Sequence, residues 1–508
     1  MSIASIEKKQ QNAKKATDAE IKAKRNQLWH FILFIGITVS LGSAIAISYL
    51  PGVQKFYVVG AIVGLTLAVV LFFRPYLGAY LLVFTVFTNM SDLFTESGLP
   101  SINQPLVAVL LIVVIANVIF SPEKLVPLNK ISRIEWSLAA YFLVVLFSII
   151  VANDQTQAFD DALRVLKNII ILFTIFITLN SREKLRGAID TLIYTTTFLS
   201  LIGIFVSISN IDFTFFGLAQ QSDIGQVTAE GANRYGGPIG LANVWGQVLV
   251  ALLPFYVYRL ISEKKNPVVK LFMLGAIGAN LLAIVLTGSR GTFIALLVIT
   301  PIILIELKFR FTNLLPIAVA GALILVFLPT TYTNRFVNLL SGQNETGQTI
   351  TSDEAVVGRL EKMRAGIEMA KDHPFLGVGI GNYSVRYWEY AEKLGLEPAI
   401  TDIQSEEAQR DAHSLYIEIV SETGIFGLAT FLLFVGFLVV GTFNVLQLTK
   451  SSTLDTNWRF WLAPIMISLI AYLVSGVVLH GVVFRWFWII AGLALSAIHL
   501  TENRFRES

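Results

Sequence analysis

The chain has no cysteine, which excludes disulfides, thiol nucleophiles and Cys-ligated metals. Charge is scarce as well. Only 14% of the 508 residues are Asp, Glu, Lys or Arg, against 55% hydrophobic, and mean hydropathy is +0.68. A chain long enough for several soluble domains therefore reads as an all-α polytopic membrane protein. The net charge of +3 is too small to suggest nucleic acid as a partner. No internal repeat or low-complexity tract breaks the pattern, and neither end carries a soluble domain.

What the chain does have is apolar runs of spanning length. They fall at 28–50, 56–73, 76–91, 102–120, 135–152, 165–180, 187–208, 241–259, 270–288, 291–306, 312–329, 424–446, 459–479 and 483–500. At roughly 20 residues per span this gives about 14 helices, or 12 if one pair is lost, the runs 76–91 and 291–306 being the shortest. Residues 1–27 form a tail with seven basic residues between Lys8 and Arg25. It reads as a cytoplasmic tail, because the apolar run after it is too long for a signal peptide and lacks a small-residue cleavage site.

With that tail inside and the helices alternating, the inner loops collect Arg74, Lys124, Lys130, Arg133, Arg182, Lys184, Arg186, Arg259, Lys264, Lys265, Lys270, Lys308, Arg310 and Lys450. The outer connections 51–55 and 92–101 hold only Lys55. The bias follows the positive-inside rule and puts both termini in the cytoplasm. It divides the chain into transmembrane helices over 28–329, a large outer loop over 330–412, three further helices over 413–500 and an inner tail over 501–508. Within the loop, Val356, Val357, Leu360, Met363, Ile367 and Ala370 share one face of a helical stretch, expected to lie on the membrane or cap a cavity.

Cations on the outer side run against the bias and need a reason. Arg234 stands before an apolar helix that opens Leu241-Ala242-Asn243, Arg290 sits in the tight turn Thr287-Gly288-Ser289-Arg290-Gly291, and Arg359 and Arg364 lie on the loop helix. Guanidinium groups there suit a diphosphate, to which they offer paired donors, and the glycines let backbone approach the ligand. The bland alternative is snorkelling to lipid headgroups or pairing with a loop acid. His413, at the mouth of the next apolar helix, has the ordinary pKa of a general base, although a histidine at a helix start often only binds backbone. His480 and Arg485 are a weaker pair at the last outer hairpin. Gly377-Val378-Gly379-Ile380-Gly381 imitates a dinucleotide fingerprint without the strand–helix unit around it, and is expected to be a turn packed against the membrane. Asp402, Glu406, Glu407 and Asp411 are either a divalent-cation site or a solvated loop face.

Taken in order, Gly288-Ser289-Arg290-Gly291, Gly358-Arg359, the run Ile367 to Tyr383 around the glycines, Ala412-His413-Ser414 and Glu422-Thr423-Gly424-Ile425-Phe426-Gly427-Leu428 resemble the O-antigen ligase/polymerase superfamily over residues 230–440. Ser414 stands where that family usually has Asn, and its Pro-Asn element is matched only at Asn243. The resemblance implies a GT-C-type glycosyltransferase of the bacterial cytoplasmic membrane with its active site facing the periplasm. Such enzymes move a glycan from an undecaprenyl-diphosphate carrier to an acceptor hydroxyl, on a lipid-linked repeat unit for polymerases or on lipid A-core for ligases; related members glycosylate proteins. By the same resemblance His413, Arg290 and Arg234 are catalytic, and Arg359, Arg364, Tyr383, Glu422 and Asn243 bind substrate. No cofactor or metal is expected. Membrane lipids and, for a polymerase, a chain-length regulator are the further partners. The rival from another class is a transporter or flippase for lipid-linked oligosaccharide, which would place ionisable groups near the bilayer midplane.

Overall fold

The computed structural model describes residues 54–96, 103–120, 125, 132–209, 213–222, 234–308, 354–396, 411–451, 457–479 and 484–507. The runs at 28–50 and 312–329 lie outside them. The chain divides into two units, residues 1–74 and 75–508. In the first, the described element is helix α1 (Gln54–Phe73). All that follows concerns the second unit.

Its elements are α2 (Tyr76–Phe87), α3 (Met90–Glu96), α4 (Asn103–Phe120), α5 (Arg133–Val151), α6 (Gln155–Thr178), α7 (Arg182–Ser209), strands β1 (Gln220–Ser222) and β2 (Arg234–Gly237), α8 (Ala242–Ser262), α9 (Pro267–Thr287), α10 (Arg290–Glu306), α11 (Glu354–Asp372), α12 (Tyr383–Lys393), α13 (Leu415–Ser451), α14 (Arg459–Ser475) and α15 (Arg485–Glu507). Among the described residues, five helices are long and apolar enough to cross a membrane: α5, α7, α8, α9 and α13. This is a multi-pass membrane protein.

The ends of the helices follow local chemistry. Ser132 and Glu135 form a capping box at the start of α5, and Asp154 caps α6 by accepting the Gln157 N–H. Asn266 caps α9, Pro267 takes its first turn, and Gly288 at φ +56 ends it. The run expected at 76–91 is shorter than predicted. It breaks at Asn89, whose φ of +51 is left-handed, and a separate short helix follows.

Helix α8 is the central element, packed by α14, α9 and α10, and 78% of its apolar span is buried. Around it α13 packs on α5 and α14, and α15 on α6. The outward faces of α5, α9 and α10 expose Leu143, Phe147, Ile150, Leu271, Leu274 and Leu297, the arrangement expected where the solvent is lipid.

Charges gather at one end of this bundle. Arg259 pairs with Asp190 at 3.0 Å, Lys450 with Glu306 at 3.3 Å, and Tyr258 donates to Glu306 at 2.5 Å. The Arg182 guanidinium lies 4.4 Å over Trp458, and that of Arg186 5.2 Å over Trp461. Since α8, α10 and α13 finish at this end and α7 and α14 begin there, the starts of α8, α10 and α13 lie at the opposite end, and the candidate site is built there.

Candidate active site

The first part of the site is a corner of polar groups around Arg290. Strand β2 pairs antiparallel with β1 and is tied to α7 by the Tyr235 hydroxyl, which donates to the Leu199 carbonyl at 2.8 Å. This places Arg234 almost wholly buried, with Nε donating to the Thr287 carbonyl at 2.8 Å and an Nη donating to Asn243 Oδ1 at 2.8 Å. Its positive charge thus sits at the carbonyl end of α9, where the helix dipole favours a cation. The next residue, Gly288, turns the chain, and Arg290, half-buried, opens α10. Ser289 is in the N-cap position yet its side chain caps nothing. Its hydroxyl and that of Thr292, both buried, have no hydrogen-bond partner among the described residues.

His413 occupies a turn before α13 and has φ +48, a left-handed conformation uncommon outside glycine. The turn is pinned two residues on, where the Leu415 N–H donates to the carbonyls of Gly476 (2.8 Å) and Leu479 (2.9 Å). Between those acceptors, Val478 packs on Gly291; a Cβ there would meet its Cγ2 at 2.8 Å. The 476–479 turn therefore separates the histidine turn from the Arg290 turn and touches both.

The second part is the glycine-rich loop, which was expected to pack against the membrane. It packs instead between α5 and α13. Gly424 has φ +68 inside α13 and breaks its hydrogen-bond ladder; Ile425 N–H donates to the Pro374 carbonyl at 2.8 Å. The freed carbonyls of Ser421 and Glu422 accept the N–H groups of Val378 (2.8 Å) and Gly379 (3.0 Å). Gly377, Gly379 and Gly381 all have positive φ, and a Cβ would strike Glu422 backbone at 2.3 Å from the first and Ala152 at 2.4 Å from the second. At Gly381 the Cβ would overlap the Asp161 carboxylate. The buried Glu422 carboxylate accepts the Tyr383 N–H at 3.3 Å.

Beneath this loop opens a cleft of about 750 Å³, counting its mouth, lined by Tyr141, Asp161, Arg164, Tyr383, Glu418 and Glu422 among others. Asp161 pairs with Arg164 at 2.7 Å, and burial holds its carboxyl above the usual carboxylate range against the opposing pull of that guanidinium. Burial also raises the Tyr383 phenol, and neighbouring Tyr387, Asp411, Glu422 and Glu418 add to the effect. That phenol donates to the Lys362 carbonyl at 2.6 Å.

Residues 275–432, from α9 into α13, match the family described as O-Antigen ligase. The match supports a likeness of this region to the O-antigen ligase/polymerase superfamily. No curated protein matches the chain. The matched region carries the Arg290 turn, the glycine loop, His413 and the broken helix; Arg234, Asn243 and the α5–α6 wall of the cleft come from before it.

The fold brings Arg234, Asn243 and Arg290 into one corner, and Tyr383 and Glu422 to the cleft wall. Arg359 is half-buried and Arg364 exposed on α11, and neither lines the cleft. Ala365, Gly366 and Met369 are buried, and a Cβ on Gly366 would meet Ile417 at 2.5 Å, while the predicted stripe of Val357, Leu360 and Ile367 stays exposed. Arg485 lies 3.4 Å from Asp92; His480, Asp402, Glu406 and Glu407 lie outside the described residues. Among the described residues no group of three His or carboxylate side chains is placed to hold a metal. Sequence reasoning missed Tyr141, Asp161, Arg164 and Glu418. The one available signal was Asp161 and Arg164 at helical spacing beside an outer turn.

Proposed function

We propose that this protein is a membrane glycosyltransferase that transfers a glycan from a polyprenyl-diphosphate carrier to an acceptor sugar hydroxyl at the end of the bundle opposite its basic loops. That end is read as periplasmic from the Lys/Arg bias. The observation that carries the reading is the first turn of α10, where an N-cap serine that does not cap, Arg290 and an unpartnered Thr292 hydroxyl stand beside buried Arg234. A helix N-terminus with a guanidinium on its first residue suits an anionic diphosphate.

In this reading Arg290 contacts the diphosphate, and Arg234 holds the turn through Thr287 while adding its charge. As the anomeric carbon–oxygen bond to phosphate breaks, charge grows on the leaving diphosphate, and preplaced donors stabilise it most in the transition state. His413 takes the proton from the acceptor hydroxyl, whose oxygen forms the new bond from the opposite face and inverts the centre. Tyr383 and Glu422 shape the acceptor side, with Arg359 and Arg364 on the loop helix toward the carrier. The diphosphate leaves without a nucleotide or an obligatory metal.

The test is turnover of a synthetic polyprenyl-diphosphate glycan by the full-length protein in nanodiscs, read as released polyprenyl diphosphate. Arg290→Ala is expected to lose about 10²–10³ in rate, and Arg290→Lys to recover little, because an ammonium lacks the paired geometry. Normal turnover by both, or by His413→Ala, overturns the roles. Activity abolished by EDTA and restored by Mg²⁺ overturns metal independence.

A further inference from the structure

The cleft under the glycine loop has the wrong charge for the carrier. Among the described residues, Asp161, Asp411, Glu418 and Glu422 line it with one guanidinium, that of Arg164. A diphosphate or an acidic sugar entering it would add negative charge to a partly desolvated cluster in which burial already disfavours an ionised carboxyl. A metal ion is poorly served too, because the carboxylates do not converge on a point: no group of three among the described residues is placed to ligate one. Spread carboxylate acceptors suit instead a wide ligand with many O–H donors.

A second observation points the same way. Tyr141, fully buried on α5, lines the cleft, and its hydroxyl has no hydrogen-bond partner among the described residues. A buried phenol without a partner is unfavourable, and an incoming hydroxyl would satisfy it. The cleft wall is also rigid. Asp161 is held by Arg164 and abuts Gly381, and Glu422 is fixed by the Tyr383 N–H.

We propose that this cleft is the acceptor subsite and that it takes a hydroxyl-rich sugar bearing no acidic group. The inference rests on the glycosyltransferase reading and adds the chemical class of the acceptor to it. It also separates the two substrates by charge, the anionic carrier at the Arg290 corner and the uncharged sugar at the carboxylates.

The test is a glycan array of neutral, amino-sugar, uronic-acid and sialylated oligosaccharides, probed with the full-length protein in nanodiscs. Binding is expected to be confined to glycans without a carboxylate. Asp161→Asn should weaken it roughly tenfold, the scale of one hydrogen bond to a charged group. Tyr141→Phe should weaken it several-fold while leaving thermal stability unchanged or raised, since it removes a hydroxyl with no protein partner. The proposal is overturned if no array glycan binds, if acidic glycans bind as well as neutral ones, or if both variants bind like the parent. Array binding without turnover of the carrier would defeat the transferase reading alone; turnover lost in Arg290→Ala with no glycan bound would defeat only this one.

Discussion

The Asn382 side chain clasps the backbone of Asp154 from both sides: its Oδ1 accepts the Asp154 N–H at 2.7 Å and its Nδ2 donates to the Asp154 carbonyl at 3.1 Å. The two residues are 228 apart in sequence. The clasp fixes the end of the glycine loop to the start of α6, which carries Asp161. Asn382→Ala is expected to destabilise the protein by about 1–2 kcal/mol, because it removes the hydrogen bonds that join the loop to Asp154. Thermal unfolding in detergent, followed by intrinsic fluorescence, measures it.

Gly424→Ala should be among the most damaging single changes. Its φ is +68 and a Cβ would lie 2.1 Å from the Phe375 carbonyl oxygen, so strain and overlap together are expected to remove about 3 kcal/mol or more. Gly436→Ala, on the same helix with nothing within 4 Å of its Cβ position, is the matched control and should leave the melting temperature unchanged or raised.

His413→Gly separates stability from activity. At φ +48 the imidazole residue carries backbone strain that glycine does not, so the variant should gain up to about 1 kcal/mol in stability. Turnover of the polyprenyl-diphosphate glycan should nevertheless fall to the level of His413→Ala. A parallel fall of melting temperature and turnover would remove the case for a base at this position.

Asp161→Asn should show a pH-dependent stability difference. Burial raises the folded carboxyl above its ordinary 3.8, so the neutral form is favoured in the fold and stability from this group is lost as pH rises through the folded value. The amide is neutral throughout. Its melting temperature relative to the parent's should therefore rise as pH increases through the folded carboxyl's range and then level off, measured in one detergent.

Much of the transmembrane framework was legible because a ~20-residue apolar run has few soluble alternatives. The Arg290 turn was legible too, since only a glycine-bearing linker fits between runs so close together. The cleft was not. Tyr141, Asp161 and Glu418 meet only after α5, α6 and α13 pack, and no spacing along the chain encodes that meeting. On α11 the small Ala365 and Gly366 permit a close approach to α13, a packing choice that hydropathy does not register. The glycine motif was read as a turn, but its partners, a broken helix and the end of α5, are remote in sequence.

The interruption of α13 has a mechanical outcome. At the kink the Ser421 and Glu422 carbonyls and the Ile425 N–H bond the 374–379 segment. His413, Glu418 and Glu422 thus ride on a small plate composed of a helical stub and a glycine strap, clamped at Asp154 and at Gly476. Any tilt of the long lipid-facing segment beyond Gly424 is uncoupled from that plate, so changes in bilayer thickness should alter how the protein sits in its membrane before they disturb the spacing of these three side chains.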